Sequence, residues 1–259
     1  MRNVLGALLC VVGLASAGSA HEFWIEPGDF FAARGATIQA TVRVGQGMDG
    51  KAFPFEPRAY QIALWVGPDT ARDLTRAPLQ KGDVSLKALG DGLHTLAVTS
   101  YGQLLIYPTL AEFDEFTTSI KLPELTDRHI ADGLPETDIR ERYRRLSKTL
   151  INFGTQTGTD RRIGLEREWV ADKGRFTLFD GAEPVPDREV VLQCRQGETI
   201  TALTRQALTT DATGAVAPNL PDGAQCLLNT VFLERATGDV VWKSDWVSLY
   251  FNTGIFAAG

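Results

Sequence analysis

The first half of the chain has the hydrophobic pattern of a β protein. Between residues 36 and 108, short runs rich in β-branched and aromatic side chains alternate with turn residues. We predict strands at residues 37–44, 60–66, 93–100 and 104–107. Short strands at this spacing indicate a β-sandwich, which we assign to residues 21–110.

The pattern changes in the middle of the chain, where the spacing of apolar residues becomes helical. Apolar side chains recur at intervals of four, three and four positions, at Ile139, Tyr143, Leu146 and Leu150. This period predicts a helix over residues 136–153, and Gly154 is placed to end it. We therefore expect a helical connecting segment at residues 111–158.

Strand-like runs return in the last third of the chain. We predict strands at residues 175–179, 189–194, 225–234 and 240–251. Together they indicate a second sandwich over residues 159–259. The predicted fold is therefore mainly β, with two immunoglobulin-like or transthyretin-like β-sandwich domains joined by a helical segment.

The first twenty residues have the order of an export signal. Arg2 is followed by an unbroken apolar stretch and then by small residues. The stretch is shorter than the roughly 20 residues needed to cross a bilayer, so we expect cleavage rather than a membrane anchor. Cleavage after Ala20 would leave His21 as the new amino terminus, and cleavage after Ala17 is the alternative. The sequence predicts a signal peptide over residues 1–20 and a periplasmic or secreted protein.

Charge and motifs narrow the classes of function. The chain has 26 Lys and Arg against 32 Asp and Glu, for a net charge of −6. An acidic protein is a poor candidate for binding nucleic acid or anionic membrane surfaces. The sequence also lacks the HExxH, GxSxG and P-loop motifs, and its 3 histidines are scattered. We therefore expect no enzyme.

Two cysteines remain once the export signal is removed. An even pair in an oxidising compartment usually forms a structural disulfide, which predicts a Cys194–Cys226 bond between strands of the second sandwich. A thiol metal site is the alternative, although metal-binding thiols usually occur in tighter clusters.

His21 is the first candidate ligand, because export processing would give it two nitrogens that can close on one metal ion. These are the free α-amine and the ring Nδ1, and a second imidazole would complete a three-nitrogen histidine brace. Nitrogen donors suit copper and nickel, and also iron or cobalt, better than calcium or magnesium. The alternative is an incidental histidine in a frayed terminus. The bulky residues Phe23, Trp24 and Ile25 follow at once, and we expect them to dock into the first sandwich.

The second imidazole would have to come from His94 or His129. His94 lies where a turn leads into a predicted strand, and a structural histidine bonded to backbone is the alternative there. His129 lies in a polar segment between predicted elements, where an exposed histidine without a ligand role is common. The predicted metal ligands are therefore His21, His94 and His129, with the choice between the last two open.

The start of the mature chain is similar to a known family. Residues 21–27, HEFWIEP, resemble the HDFWxEP opening of domain-of-unknown-function family 4198, the NikM-like periplasmic proteins formerly assigned to nickel uptake. Weaker similarities lie at residues 44–50, 112–113, 141–145 and 244–249. In the second sandwich, residues 181–191 and 210–214 resemble the repeat of transthyretin-like modules.

The resemblance implies a periplasmic accessory protein for transition-metal uptake. Its cargo would be nickel, cobalt, copper or iron, its ligand would be His21, and its partner a periplasmic or outer-membrane uptake component. Where many relatives carry a histidine in the strand near the end of the second sandwich, this chain has Asn229, Thr230, Val231 and Phe232. Two other interpretations remain: a sandwich module that binds carbohydrate or a periplasmic protein, and a copper monooxygenase that also begins at a mature histidine.

Overall fold

The structure is a computed structural model that describes residues 21–78, 82–197 and 203–256. The predicted signal peptide over residues 1–20 lies outside the described residues. The described chain is mainly β, as the sequence predicts, and its strands form three sheets. No helix in these ranges is long and apolar enough to cross a membrane.

A ten-stranded sheet runs through the middle of the molecule. In spatial order its main path consists of β15 (Thr204–Thr209), β14 (Glu189–Arg195), β17 (Gln225–Arg235), β18 (Trp242–Asn252), β10 (Thr137–Phe153), β8 (Gly92–Ser100), β5 (Tyr60–Val66) and β6 (Ala71–Asp73). Two further strands, β2 (Phe31–Ala32) and β9 (Gln103–Thr109), also pair with β10. Both halves of the chain therefore contribute to one continuous sheet.

Two smaller sheets cover different halves of this central sheet. The first consists of β1 (Glu22–Pro27), β3 (Thr37–Gln46), β4 (Asp49–Phe53) and β7 (Val84–Lys87). The second consists of β11 (Arg167–Asp172), β12 (Arg175–Asp180), β13 (Glu183–Pro184) and β16 (Ala215–Val216). Leu150 belongs to the core under the second small sheet and its neighbour Ile151 to the core under the first. Because successive strand residues face opposite sides, the two sandwiches lie on opposite faces of β10.

The helix predicted over residues 136–153 is wrong, because Thr137–Phe153 is a single 17-residue strand, β10. Residues 146–153 are buried without a break, so both faces of the strand are covered and the alternation of buried and exposed positions typical of strands is lost. Its neighbours supply the hydrogen bonds: β18 runs parallel to it, and β8 and β9 run antiparallel. Long-range pairing has overridden a local spacing that resembles a helix.

Helices do occur in the predicted connecting segment, but they precede β10. Helix α1 spans Leu110–Ser119 and α2 spans Glu124–Ala131. Thr109 caps α1 by accepting a hydrogen bond from the Glu112 N–H at 3.3 Å. The apolar faces of the two helices pack on the end of β10, β17 and β18 in a third core.

The predicted disulfide is confirmed. Cys194 on β14 and Cys226 on β17 are directly opposite each other in the antiparallel register, and their Cα atoms are 4.1 Å apart. Their sulfurs are bonded within the second sandwich core, so neither thiol is available as a metal ligand. The bond links residues 32 positions apart in the sequence.

Candidate functional site

His21 is exposed at the surface and is followed directly by β1. The expected docking of the next residues is confirmed, because Phe23, Trp24 and Ile25 are buried. Strand β1 is paired with β3 along its whole length, so the backbone next to His21 is fixed in a sheet. The histidine is therefore presented by an anchored strand rather than by a frayed tail.

The next residue, Glu22, places a buried carboxylate beside this terminus. Its Oε2 accepts a hydrogen bond from the Gly47 N–H at 3.0 Å, and its Oε1 accepts one from the side-chain amide of Gln193. Burial raises the pKa of Glu22 above its ordinary value, although the hydrogen bonds from Gln193 and Gly47 act in the opposite direction. The sequence did not indicate that Glu22 is buried, because a glutamate among the apolar residues of a strand is expected to face solvent.

A cleft of about 70 Å³ opens beside Glu22. Its walls come from β1, from the last turn of α1 and from strands of the central sheet. The polar side chains that line it include Glu22, Gln46, Glu189, Arg205 and Asn229. The Asn229 Oδ1 is buried and has no hydrogen-bond partner in the part of the chain that the structure describes. An unpartnered amide oxygen in a cleft is a candidate donor for a ligand.

His94 is buried in the first sandwich, where both ring nitrogens are engaged by backbone. Nε2 accepts the Leu89 N–H at 2.9 Å, and Nδ1 donates to the Gly92 carbonyl at 2.9 Å. The ring stacks on Trp65 and meets the edge of Phe153, with centroids 5.1 and 4.8 Å apart. Burial lowers the pKa of His94, which keeps the imidazole neutral. Its geometry is that of a structural histidine.

His129 is also buried, on α2, and it also uses both ring nitrogens. Trp242 Nε1–H donates to its Nδ1 at 3.0 Å, so its Nε2 carries the proton and donates to the Pro135 carbonyl at 2.8 Å. The ring packs against Phe113 and Trp242 in the third core. The polar sequence around His129 had suggested exposure because the helix that buries it was not predicted.

The structure therefore does not bring the three predicted ligands together. In the described ranges, no group of three or more His, Cys, Asp or Glu side chains is arranged to hold a metal ion. His94 and His129 would each have to give up a hydrogen bond to bind one. Of the three, His21 alone lies exposed at the surface, and the residue that follows it, Glu22, lines the cleft together with Asn229.

Comparison with known families identifies the class of protein to which this fold and site belong. The family model "Domain of unknown function (DUF4198)" matches residues 18–233, which is most of the chain. The chain therefore belongs to this family, as the HEFWIEP opening suggested. The match includes His21, β1 and Asn229, so all the residues that line the cleft except Trp246 lie within the family domain.

Comparison with individual proteins adds little. No curated protein matches the chain. Among solved structures, the D0-D1 domain of Intimin matches at 12% identity over 88% of this chain and 96% of that chain, with a TM-score of 0.19. A score this low supports no conclusion about fold or function.

Proposed function

We propose that the processed protein binds a divalent transition metal ion, copper or nickel, through the α-amine and Nδ1 of His21. Iron or cobalt would use the same donors. In this proposal the protein is a periplasmic accessory of metal uptake that passes its ion to a periplasmic or outer-membrane component. The observation that carries the proposal is the position of His21, which is exposed and directly precedes an anchored strand whose first residue, Glu22, lines a polar cleft.

The residues present fit part of such a site. Cleavage after Ala20 would supply two nitrogens on one residue, and the unpartnered Asn229 Oδ1 is a neutral oxygen donor in the neighbouring cleft. Asn229 also belongs to the segment 229–232, where the family resemblance implies a histidine in many relatives. The hydrogen bonds of His94 and His129 remove both from the proposed ligand set, so a donor set of two nitrogens and one oxygen replaces the histidine brace.

The test compares protein that begins at His21 with protein that has one glycine added before it. The added residue leaves the imidazole intact but removes the amine from the chelate. Calorimetric titration with Cu²⁺ and Ni²⁺ should therefore show the same loss of affinity for the extended protein as for His21→Ala. For the unextended protein, affinity should rise with pH through about 8, because the amine must lose its proton to bind.

Two controls sharpen the titration. Mg²⁺ should bind neither form, because it prefers a shell of oxygens. Asn229→Ala should weaken binding less than the added glycine does, and Asn229→His should strengthen it by restoring a nitrogen donor. Equal affinity of the extended and unextended proteins would contradict the proposal.

The interaction-module function has one observation in its favour. Tyr101, Leu104 and Ile106 are exposed, at 54, 49 and 41%, on or next to β9. Exposed apolar side chains grouped on one surface are typical of binding sites. A module of this kind would still bind its partner after His21→Ala and would lose that binding after Leu104→Asp. The metal-binding function predicts that His21→Ala weakens binding of the metal ion and that Leu104→Asp leaves it unchanged.

A further inference from the structure

Three ionisable side chains are buried together where β10 meets the second small sheet. Lys148 lies on β10, Asp160 in the segment that follows it, and Glu168 on β11. Their side chains are 1, 0 and 0% exposed. Lys148 Nζ is 3.7 Å from Glu168 Oε2. No sequence motif marks this cluster, and none of its three residues lines the cleft next to His21.

The contact between Lys148 and Asp160 differs from a simple ion pair. Nζ lies 2.9 Å from Oδ1 and 3.0 Å from Oδ2, so the amine is almost equally far from both oxygens and lies beside the carboxyl carbon. Oδ2 takes part in hydrogen bonds with Nζ and with the Ala171 N–H, which is 2.9 Å away. Oδ1 has no hydrogen-bond partner among the described residues, despite its short distance from Nζ.

We propose that Lys148 and Asp160 condense to form an intramolecular amide, with Glu168 as the group that moves the proton. The Nζ–Cγ bond forms and the Cγ–Oδ1 bond breaks. Oδ1 leaves as water with two of the three ammonium hydrogens, and the third stays on the amide nitrogen. Asp160 receives the first proton, and Glu168 carries the second from Nζ to the leaving oxygen. The reaction is a dehydration and requires no oxidant or other reactant.

The surroundings favour each part of this reaction. The two groups are held in contact and are buried from solvent, which replaces a bimolecular encounter with a positioned one. Burial raises the pKa of Asp160 and so favours its neutral carboxyl form. The Ala171 N–H is bonded to Oδ2, the oxygen that becomes the amide carbonyl and that develops charge during attack. Condensation also removes two buried charges, which a protein interior solvates poorly.

Glu168 is fixed for proton transfer. Its carboxylate accepts backbone hydrogen bonds from Ile163 and Gly164 at 2.9 to 3.1 Å, and these hold Oε2 toward Nζ. Arg162 Nε lies 3.5 Å from Oε1 and balances its charge. The Trp169 carbonyl, 2.8 Å from Nζ, remains as an acceptor for the amide N–H after condensation.

Intact mass measurement of the purified mature chain, denatured and with its disulfide reduced, tests the proposal. The expected mass is that of the sequence minus one water molecule. Lys148→Arg keeps the charge but cannot form the amide under these conditions, so it should have its full sequence mass. Lys243→Arg is the matched control, because Lys243 forms an exposed ion pair with Glu234 at 2.9 Å, and it should still lack one water. Wild-type protein with its full sequence mass would overturn the proposal.

Peptide mapping locates the bond. Cleavage after Phe153 separates Lys148 from Asp160 in the sequence, so the two fragments should stay joined after digestion and denaturation. Fragments that separate while one carries the loss of water would indicate a cyclised Asp160 instead and would overturn the proposal. Glu168→Gln keeps the size and burial of the side chain, so folded protein of this variant should have its full mass. Joined fragments from that variant would overturn the role assigned to Glu168.

Discussion

The two sandwiches bury their polar side chains in different ways. In the first, His94 is neutral, bonds to the backbone of nearby residues and stacks on an aromatic ring. In the second, Lys148, Asp160 and Glu168 bring ionisable groups from three stretches of chain into one contact, close to a disulfide-linked pair of strands. A neutral side chain whose hydrogen bonds are made by nearby residues needs only a few backbone atoms to stay buried at low cost. A buried charge depends on all of its partners at once.

The largest effect is expected from breaking the charged cluster. Lys148→Met removes the amine, so the amide cannot form and the Asp160 and Glu168 carboxyl groups are left buried without their partner, which should lower the free energy of unfolding by about 3 to 5 kcal/mol. Urea denaturation at neutral pH measures this change. Lys243→Met, which breaks an exposed ion pair with Glu234, is the control and should change stability by about 0 to 1 kcal/mol. Similar losses for the two variants would show that burial does not distinguish the two sites.

The second effect is the removal of the covalent link between β14 and β17. Cys194→Ala combined with Cys226→Ala should lower the free energy of unfolding by about 3 to 4 kcal/mol, because a loop of 32 residues is no longer closed in the unfolded chain. Hydrogen exchange then tests the comparison directly. Amides of β14 and β17 should lose more protection than amides of β5 and β8 in the other sandwich. A uniform loss would show that the central sheet opens as one unit.

The third prediction concerns the neutral group. His94→Leu leaves the Leu89 N–H and the Gly92 carbonyl without partners, so it should destabilise the protein by about 1 to 3 kcal/mol. Burial lowers the pKa of His94 in the folded state, so the unfolded chain binds more protons below about pH 6.5. The stability of wild-type protein should therefore be complete above that pH and fall as the pH decreases.

The same variant provides the check on pH dependence. Urea denaturation from pH 7 to pH 5 should show a shallower loss of stability for His94→Leu than for wild type. A loss of the same slope in both proteins would assign the acid sensitivity to other groups. Because metal binding is proposed without His94, the affinity of folded His94→Leu for Cu²⁺ should be unchanged.

The sequence predicted what depends on local composition. The strands with alternating turns, the docking of Phe23 to Ile25 and the pairing of the two cysteines all follow from residue types close in the chain. Strand β10 was not predicted, because its apolar positions satisfy a helical period and its strand neighbours come from distant parts of the chain. The burial of His129 was missed for the same reason, since α2 is ordered by packing against Trp242.

The candidate site was predicted only in part. His21 could be found because its proposed chemistry depends only on its position after the predicted export signal. Glu22 and Asn229 are 207 positions apart in the sequence and meet only where β1 lies over the central sheet, so no motif joins them. The sequence showed residues 229–232 as a departure from the family, and three of them, Asn229, Thr230 and Val231, line the cleft. The Lys148 cluster had no sequence signature at all.

The smallest effect is expected at Glu22. This buried carboxyl group is ionisable, like the Lys148 cluster, but it is hydrogen-bonded to neutral groups, like His94. Its pKa is raised by burial, so the folded state holds a proton that the unfolded chain has released above about pH 4.3. The contribution of Glu22 to stability therefore falls as the pH rises through its folded-state pKa. Glu22→Gln removes this dependence and should change the free energy of unfolding at pH 7 by at most about 1 kcal/mol.

The change is small because the neighbouring amide can adjust. A glutamine at position 22 offers an N–H₂ group, and the buried Gln193 Oε1, which has no partner among the described residues, can accept from it if the Gln193 amide turns over. Glu189→Gln, at an exposed position of the same cleft, is the control and should leave stability within about 0.5 kcal/mol. A loss above about 2 kcal/mol for Glu22→Gln would show that the fold needs the Glu22 charge, in which case the cleft would resemble the charged cluster rather than the neutral histidine.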